Sequence, residues 1–417
     1  MKNKIFFHID MDSFFVSCER IRRKDLIGKP VGISRNLKRS IVTALSSEAK
    51  QKGAKVGEPI HLLKQKVPDI VIVKPDLEFY HLTSIRIFNF IATNFCANIE
   101  IYSVDECYID VTDLINEDQA LEFAQEIQSA IMTNIGVPCS IGISYNKFLA
   151  KMSTNLAKPH GIKKTNKEDI AKNFYPLQID KFFMVGKASV PKLKKLGINT
   201  IGDFVNKYPL LKEEEVLGNN LRNLMLMISG RNVEKIEKKN SDIKGISNSL
   251  TFMEEDIADE EILLNYLEFL CKKISYRLQN HNYEASTIVL LIRSAEKKWI
   301  SYQTNLKNFL WNYSDIFSVV KNLFLVNWSK ERIRGLGIRV TNFNIQSNRI
   351  ENFSLYNNGN REKVMKINAI VNDVNFNFVN RHLKKAQEKY KIEQFKVKKN
   401  QFTVDDYPKI KKIKIKI

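Results

Sequence analysis

Two pairs of carboxylates set the chemical question. The chain opens on KIFFHIDMDSFFVSCE, residues 4–19, where Asp10 and Asp12 interrupt a run of large apolar side chains. An unpaired carboxylate costs several kcal/mol to bury, so acids in such a stretch call for a partner. A helix cap and one internally bonded core acid would serve, and so would a divalent cation. A second cluster lies in IYSVDECYIDVT, residues 101–112, where two alternating apolar runs meet at Asp105 and Glu106. That pattern reads as a hairpin with adjacent carboxylates at its turn, and taken alone it is an ordinary solvated pair. Neighbouring strand residues point to opposite faces, so Asp105 and Glu106 reach one site only if the backbone turns between them. Together, Asp10 at a strand end and this pair on a neighbouring hairpin would supply three carboxylates, enough to hold two Mg²⁺ ions about 4 Å apart for phosphoryl transfer.

The elements that must position these acids are legible as mixed α/β patterning without an internal repeat. KIFFHID, IEIYSV and CSIGIS read as strands, and ALEFAQEIQSAIMTNIG reads as an amphipathic helix ended by Gly136. A helix opening with SFFVSCERI would place Asp12 or Ser13 at its N-cap, which favours a structural role for Asp12. On the helix NKFLAKMSTNLAK, Lys147, Lys151 and Lys158 share one face, opposite Phe148, Leu149, Met152 and Leu156. Such a charged face is ordinarily solvated. Short helical pieces with Gly punctuation fill residues 166–233, and the polar run EKIEKKNSDIKG marks a domain boundary. Beyond it, the helix EEILLNYLEFLCKKISYRLQN and the strands STIVLLIRS, KWISYQT and IRGLGIRVTNF form a small α/β domain. From residue 350 the chain turns Asn-rich and then Lys-rich, which reads as a tail.

Composition bounds the partners. At 417 residues the chain exceeds one core, and about 150 residues per domain implies two to four domains. Lys plus Arg number 66 against 46 Asp plus Glu, a net charge of +20 that points to a polyanion such as nucleic acid or an acidic membrane surface. The membrane option is the weaker, since no apolar run approaches the roughly 18 residues of a spanning helix. His8 and Asp10 also cut the N-terminal IFF short of a signal sequence, so a soluble cytoplasmic protein is expected. The five cysteines show no C-x-x-C pairing and are expected to be buried thiols, not a disulfide framework or a zinc site.

HIDMDSFFVSCE, GKPVGIS, YSVDECYIDVT and GISYNKFLAKMSTNLAKPHGI resemble, in order and spacing, the motifs of the Y-family translesion DNA polymerases of DinB and UmuC type. The resemblance spans roughly residues 4–348 and implies an α+β multidomain, right-hand polymerase. Its palm would comprise residues 1–30 and 75–165, its fingers 31–74, its helical thumb 166–233 and its α/β little finger 241–348. A linker at 234–240 and a C-terminal tail at 349–417 complete the expected organisation. The implied activity is template-directed addition of dNTPs to a primer 3′-hydroxyl, without proofreading, in DNA damage tolerance. The implied cofactor is a pair of Mg²⁺ ions, and the implied partners are primer-template DNA, dNTPs and a sliding clamp, with the enzyme acting as a monomer.

Residue by residue, Asp10, Asp105 and Glu106 match the family's metal-binding carboxylates, with the main-chain carbonyl of Met11 as a further ligand. Phe15, with Phe14 beside it, matches the aromatic that packs against the sugar of the incoming nucleotide. Lys50 and Lys158 match triphosphate contacts, although Ser47 and Lys50 stand where Tyr and Arg are commoner, and Lys lacks the bidentate fork of Arg. FFMVGKASVPKLKKLG resembles a helix-hairpin-helix, in which Gly186 and Lys187 would meet a DNA phosphate. Met184 there replaces the usual first Gly. Arg293, Lys298, Arg332, Arg334 and Arg339 suit backbone contacts to DNA. Asn352, Phe353, Leu355 and Tyr356 look like a degenerate clamp-binding peptide, with Asn for Gln and Tyr for Phe. A nuclease using the same carboxylates, and a non-catalytic DNA-binding relative, are the rival classes.

Overall fold

A computed structural model describes residues 4–35, 37–211, 220–231, 235–236 and 243–345. The expected clamp peptide, the tail and most of the linker lie outside the described residues. FFHIDM (β1, Phe6–Met11) is buried at every position. Alternation nevertheless gives it two different faces: Phe7, Ile9 and Met11 enter an apolar core, while His8 and Asp10 point the other way.

After β1 come α1 (Phe14–Arg22), β2 (Val31–Ile33), β3 (Ala44–Leu45), α2 (Ser47–Gln51), α3 (Ile60–Lys66), β4 (Val71–Val73) and α4 (Leu77–Asn94). They are followed by β5 (Ile99–Ile101), β6 (Glu106–Asp110), α5 (Ala120–Ile135), β7 (Cys139–Ser144), α6 (Lys147–Ala157) and β8 (Ile162–Lys164). Strands β5-β6-β1-β7-β8 form one sheet in which β1 is central and antiparallel to both neighbours. Helices α4 and α5 cover its apolar face with Tyr80, Ile87, Ile91, Ala124, Ile127 and Ile131. Gly136, at φ 82°, ends α5 in the left-handed region that glycine enters without steric cost.

Helix α6 closes the opposite face at unusually short range. A Cβ on Gly142 of β7 would fall 2.0 Å from Ala150 O and 2.3 Å from Thr154 N, so only glycine lets the helix backbone approach. A smaller sheet, β3-β2-β4, packs with α2 and α3 around Leu45, Ala49 and Leu63. Beyond β8, α7 (Ile170–Phe174), α8 (Val190–Lys195), α9 (Ile201–Leu211) and α10 (Asn220–Ile228) enclose Phe174, Phe182, Leu193 and Phe204. Phe148, Leu149 and Met152 of α6 belong to that same core, so one helix serves both the sheet and the helical layer. Leu156, expected on the apolar side of α6, is instead exposed, because it lies beyond the reach of this layer at the end of the helix.

Chain contacts separate a first compact unit, Met1–Asp242 with Met253–Glu255, from a second, Ile243–Phe252 with Asp256 onward. The second holds β9 (Gly245–Thr251), α11 (Glu260–Asn280), β10 (Tyr283–Ser294), β11 (Trp299–Leu310), α12 (Tyr313–Asn327) and β12 (Ile333–Ile345). Its antiparallel sheet runs β11-β10-β12-β9. Leu267, Ile274, Val320 and Phe324 of the two helices pack on Ile288, Leu290, Leu336 and Ile338. Alternation therefore leaves Leu291, Arg293, Gly337 and Arg339 on the face away from the helices.

Gly142 and Gly186 stand at opposite extremes of packing. Gly142→Ala should destabilise the first unit by about 3 kcal/mol or more, because α6 must lift from the sheet. Gly186→Ala, where an added Cβ meets nothing within 4 Å, should change stability by less than about 0.5 kcal/mol. Urea unfolding midpoints measure both, and equal midpoints for the two variants would refute the packing account.

Candidate active site

The strand register assembles an acidic face. Asp10 lies directly across from Glu106 on β6 and from Ser140 on β7, while His8 lies across from Tyr108 and Gly142. Glu100 on β5 pairs with Tyr108, so it extends the same face. Asp105 precedes β6 in the turn, where strand alternation does not apply, and its carbonyl accepts the Met11 N–H at 2.8 Å. Ser103 Oγ donates to the Asp105 carboxylate. The ligating atoms of His8, Asp10 and Glu106 lie within 4.8 Å of one another.

Helix α6 and the residue after it answer this face with ammonium groups. Lys147 Nζ stands 3.0 Å from Glu100, Lys151 pairs with Glu106, and Lys158 Nζ stands 2.6 Å from Asp10 Oδ1. The lysine face expected to be solvated is thus turned to the sheet, because the acids there are too buried to go without cations.

The three acid-base groups settle differently. Burial holds Asp10 up at about 6; Lys158 opposes the shift, and Asp105 and Glu106 add to it. Burial would also raise Glu106, but the bonds from His8 and Lys151 outweigh it and hold this carboxylate down at about 2. His8 is pushed down to about 4 by burial and is neutral at pH 7, so its contact with Glu106 is a hydrogen bond and not an ion pair. The neutral ring donates from Nε2 to Glu106 Oε2 at 3.1 Å, and Nδ1 accepts from Thr154 Oγ1 at 2.9 Å. The Asp10 and Glu106 oxygens, within 4.8 Å of one another, form a donor set that fits a hard divalent cation, for which the Lys158 and Lys151 ammonium groups would have to move aside.

Around this centre, Lys50 Nζ donates to Ser13 Oγ at 3.1 Å. Desolvation and then the Lys158 ammonium pull the Lys50 pKa down, so two cationic groups converge where an anion would be held. Ser46 caps α2 by accepting from Ala49 N, and Arg20 grips Glu48 through both carboxylate oxygens at 3.0 and 2.9 Å, which fixes the helix bearing Ser47 and Lys50. Ser13 takes the N-cap position of α1 with φ 46°, but its side chain makes no capping bond, and Asp12 is engaged elsewhere. Phe14 is buried in the core, whereas Phe15 is half-buried and stacked on Tyr80, with ring centroids 4.6 Å apart and planes at 19°. Tyr80 is itself anchored by its hydroxyl, which donates to Glu19 at 2.7 Å. Sequence reasoning missed His8 and Tyr80, since neither carries a local signal beyond sitting among apolar residues.

The remaining expected residues are dispersed. Met184 adopts φ 69°, the left-handed conformation that glycine would enter more easily, and Gly186 O accepts from Ser189 N at 2.9 Å ahead of α8. Arg293 donates to Thr251 Oγ1 at 2.9 Å and lies 5.6 Å from the Trp299 ring centre. Arg332 donates to Asp256 O at 3.0 Å, and Arg334 approaches Ala295 O at 3.5 Å. Lys298 sits in the β10–β11 turn, and Arg339 shares the helix-free face of the sheet with Arg293. All five cysteines are buried free thiols. Among the described residues no helix is long and apolar enough to cross a membrane.

Residues 9–155 match the impB/mucB/samB family, and residues 243–354 match that family's C-terminal domain. The chain is 32% identical over 415 residues to DNA polymerase IV 1 of Bacillus subtilis (strain 168), covering 99% of each chain. It is 30% identical to DNA polymerase IV of Oceanobacillus iheyensis, covering 98% of each. A solved Y-family DNA polymerase chimera of Dbh and Dpo4 superposes with a TM-score of 0.72 at 25% identity, over 82% of this chain and 99% of that one. Likeness to polymerases along the whole length disfavours both rival classes. With both family regions present in order and relatives matched from end to end, the chain belongs to the Y-family of DNA polymerases, of the DinB type, and is a DNA-directed DNA polymerase of translesion synthesis.

Proposed function

We propose that Asp10, Asp105 and Glu106, with the main-chain carbonyl of Met11, hold two Mg²⁺ ions at which a primer 3′-hydroxyl is extended by a dNTP. The observation that carries this reading is the convergence of Asp10 and Glu106 across one strand pair, with carboxylate oxygens within 4.8 Å of one another. When bound, the ions supply a primer hydroxyl of lowered pKa and neutralise charge on the leaving pyrophosphate. His8 orients Glu106 without adding a charge of its own. Lys50 and Lys158 bind the triphosphate. Tyr80 fixes the Phe15 ring, and a rigid ring beneath C2′ admits a hydrogen but clashes with a hydroxyl.

Gly186 and Lys187 in the first unit, and Arg293, Lys298, Arg332, Arg334 and Arg339 in the second, contact phosphates of the primer-template without reading bases. The net charge of +20 supports this reading. The palm, fingers, thumb and little finger take the boundaries expected from the sequence. The enzyme works as a cytoplasmic monomer that docks Asn352, Phe353, Leu355 and Tyr356 on a sliding clamp, a reading supported by the sequence alone.

Asp105→Asn should lower Mg²⁺-dependent primer extension by about a thousandfold or more while primer-template affinity stays within about threefold, because charge is lost at the metals and not at the phosphates. Single-turnover extension and DNA titration read the two effects, and normal extension would sink the ligand assignment. Phe15→Ala should raise ribonucleotide incorporation about a hundredfold or more while costing deoxynucleotide incorporation far less, since a clash is removed. Unchanged sugar discrimination would place the gate elsewhere.

A pH dependence follows from Asp10. Its pKa of about 6 exceeds that of an unfolded aspartate, so the folded state binds the proton more tightly and Asp10's contribution to stability falls as pH rises through about 6. A divalent cation relieves this penalty only where Asp10 is ionised. The rise in Tm on adding Mg²⁺ or Mn²⁺ should therefore be larger near about pH 7.5 than near about pH 5. Equal shifts at both would contradict the assignment of Asp10.

A further inference from the structure

Asp12 serves neither as a cap of α1 nor as part of the cluster around Asp10 and Glu106. Its residue is 8% exposed, and its carboxylate accepts from Ser140 Oγ, 3.0 Å from each oxygen, and from the His160 main-chain N–H at 2.8 Å. Its own backbone is equally fixed. Asp12 N–H donates to Pro138 O at 2.8 Å, and Asp12 O accepts from Ser17 Oγ at 2.6 Å.

His160 lies two residues beyond Lys158, in the turn that leads from α6 to β8. That turn is narrow: His160 adopts φ 53°, and a Cβ on Gly161 would fall 2.2 Å from Ala157 O. It is fastened to the sheet at two points, the Asp12 carboxylate and the Ile141 N–H, which donates to Gly161 O at 2.9 Å. Lys158 opens this turn, and its Nζ reaches Asp10. A lysine stem is flexible, so its ammonium can be aimed only if the backbone that carries it is held. Misplacement by about 1 Å is enough to cost a positioned charge much of its effect.

We propose that Asp12 is a positioning residue, which holds the 158–161 turn through His160 so that the Lys158 ammonium is delivered beside Asp10 to meet the incoming triphosphate. The proposal rests on the reading of Lys158 as a triphosphate contact and adds the group that places it. It also explains why two aspartates stand two residues apart on one face of the chain: Asp10 faces the reaction, and Asp12 faces the turn that brings its partner. Acting as an acceptor and not as a metal ligand, Asp12 needs its oxygen more than its charge.

Steady-state dNTP insertion by the full chain on a primer-template with Mg²⁺ tests this through a double-mutant cycle. Asp12→Ala should raise the dNTP KM about tenfold, with kcat changed less than KM and DNA affinity within about twofold. The Asp12→Ala/Lys158→Ala double variant should be no worse in KM than Lys158→Ala alone. Asp12→Asn, which keeps an oxygen toward His160 N–H and can offer its amide to Ser140 Oγ, should stay within about threefold of the unmodified enzyme. Additive KM losses, or a large loss in Asp12→Asn, would overturn the proposal while leaving the Lys158 reading intact. An unchanged KM in Lys158→Ala would instead remove that reading, and the proposal with it. Should Asp12→Ala not fold, Ser140→Ala loosens Asp12 without deleting it and runs the same cycle. A KM rise of about threefold that vanishes in the Lys158→Ala background supports the proposal, and additivity overturns it.

Discussion

The first unit is organised around one electrostatic requirement: a sheet face that carries buried carboxylates must be closed by cations. Glu100, Glu106 and Asp10 occupy that face, and Lys147, Lys151 and Lys158 come down on them from α6 and its end. Pairs of this kind add little net stability, yet removing one partner leaves a charge buried alone. The lysine spacing, the strand register and the close approach at Gly142 therefore act as a single device. If the helix backbone stood farther off, the ammonium groups would not reach the acids.

Within that device the two facing carboxylates are deliberately unequal. Glu106 is held ionised by His8 and Lys151, whereas burial raises Asp10 to about 6. Two facing carboxylates thus differ in how readily they give up charge, although they stand on one strand pair. The neutral His8 contributes orientation alone. Phe15 shows the same economy in another form, since its ring is held by stacking on Tyr80 and not by any polar bond.

The second unit follows different physics. Its helices cover one face of a four-stranded sheet, and the other carries Arg293 and Arg339 beside glycines. Arg293 is braced by Thr251 and Trp299, which limits the freedom of its guanidinium. A firmly held charge on an open sheet suits contact with a regular polyanion, where spacing matters more than base identity.

Local pattern determined a good deal. The helix Glu260–Asn280, the strands β1, β6 and β7, the stop at Gly136 and the presence of acids at Asp10, Asp105 and Glu106 in need of partners all follow from periodicity and turn chemistry, because each is written within a few consecutive residues. Helices α4 and α12 and strand β9 were not legible, since LEFYHLTSIRIFNFIATN and YSDIFSVVKNLFLVN spread apolar residues around the helix and GISNSLT offers few apolar residues. What only the tertiary structure decided is the assignment of partners. His8 meets Glu106 across 98 positions, and Asp12 meets His160 across 148. The lysine face of α6 proved to be paired, Met184 proved to occupy a left-handed turn, and Asp12 proved to hold a turn and not a helix cap. A side chain's type and spacing can show that it needs a partner, but which group satisfies it depends on how the chain returns, and that is set by the packing of α6 against the sheet.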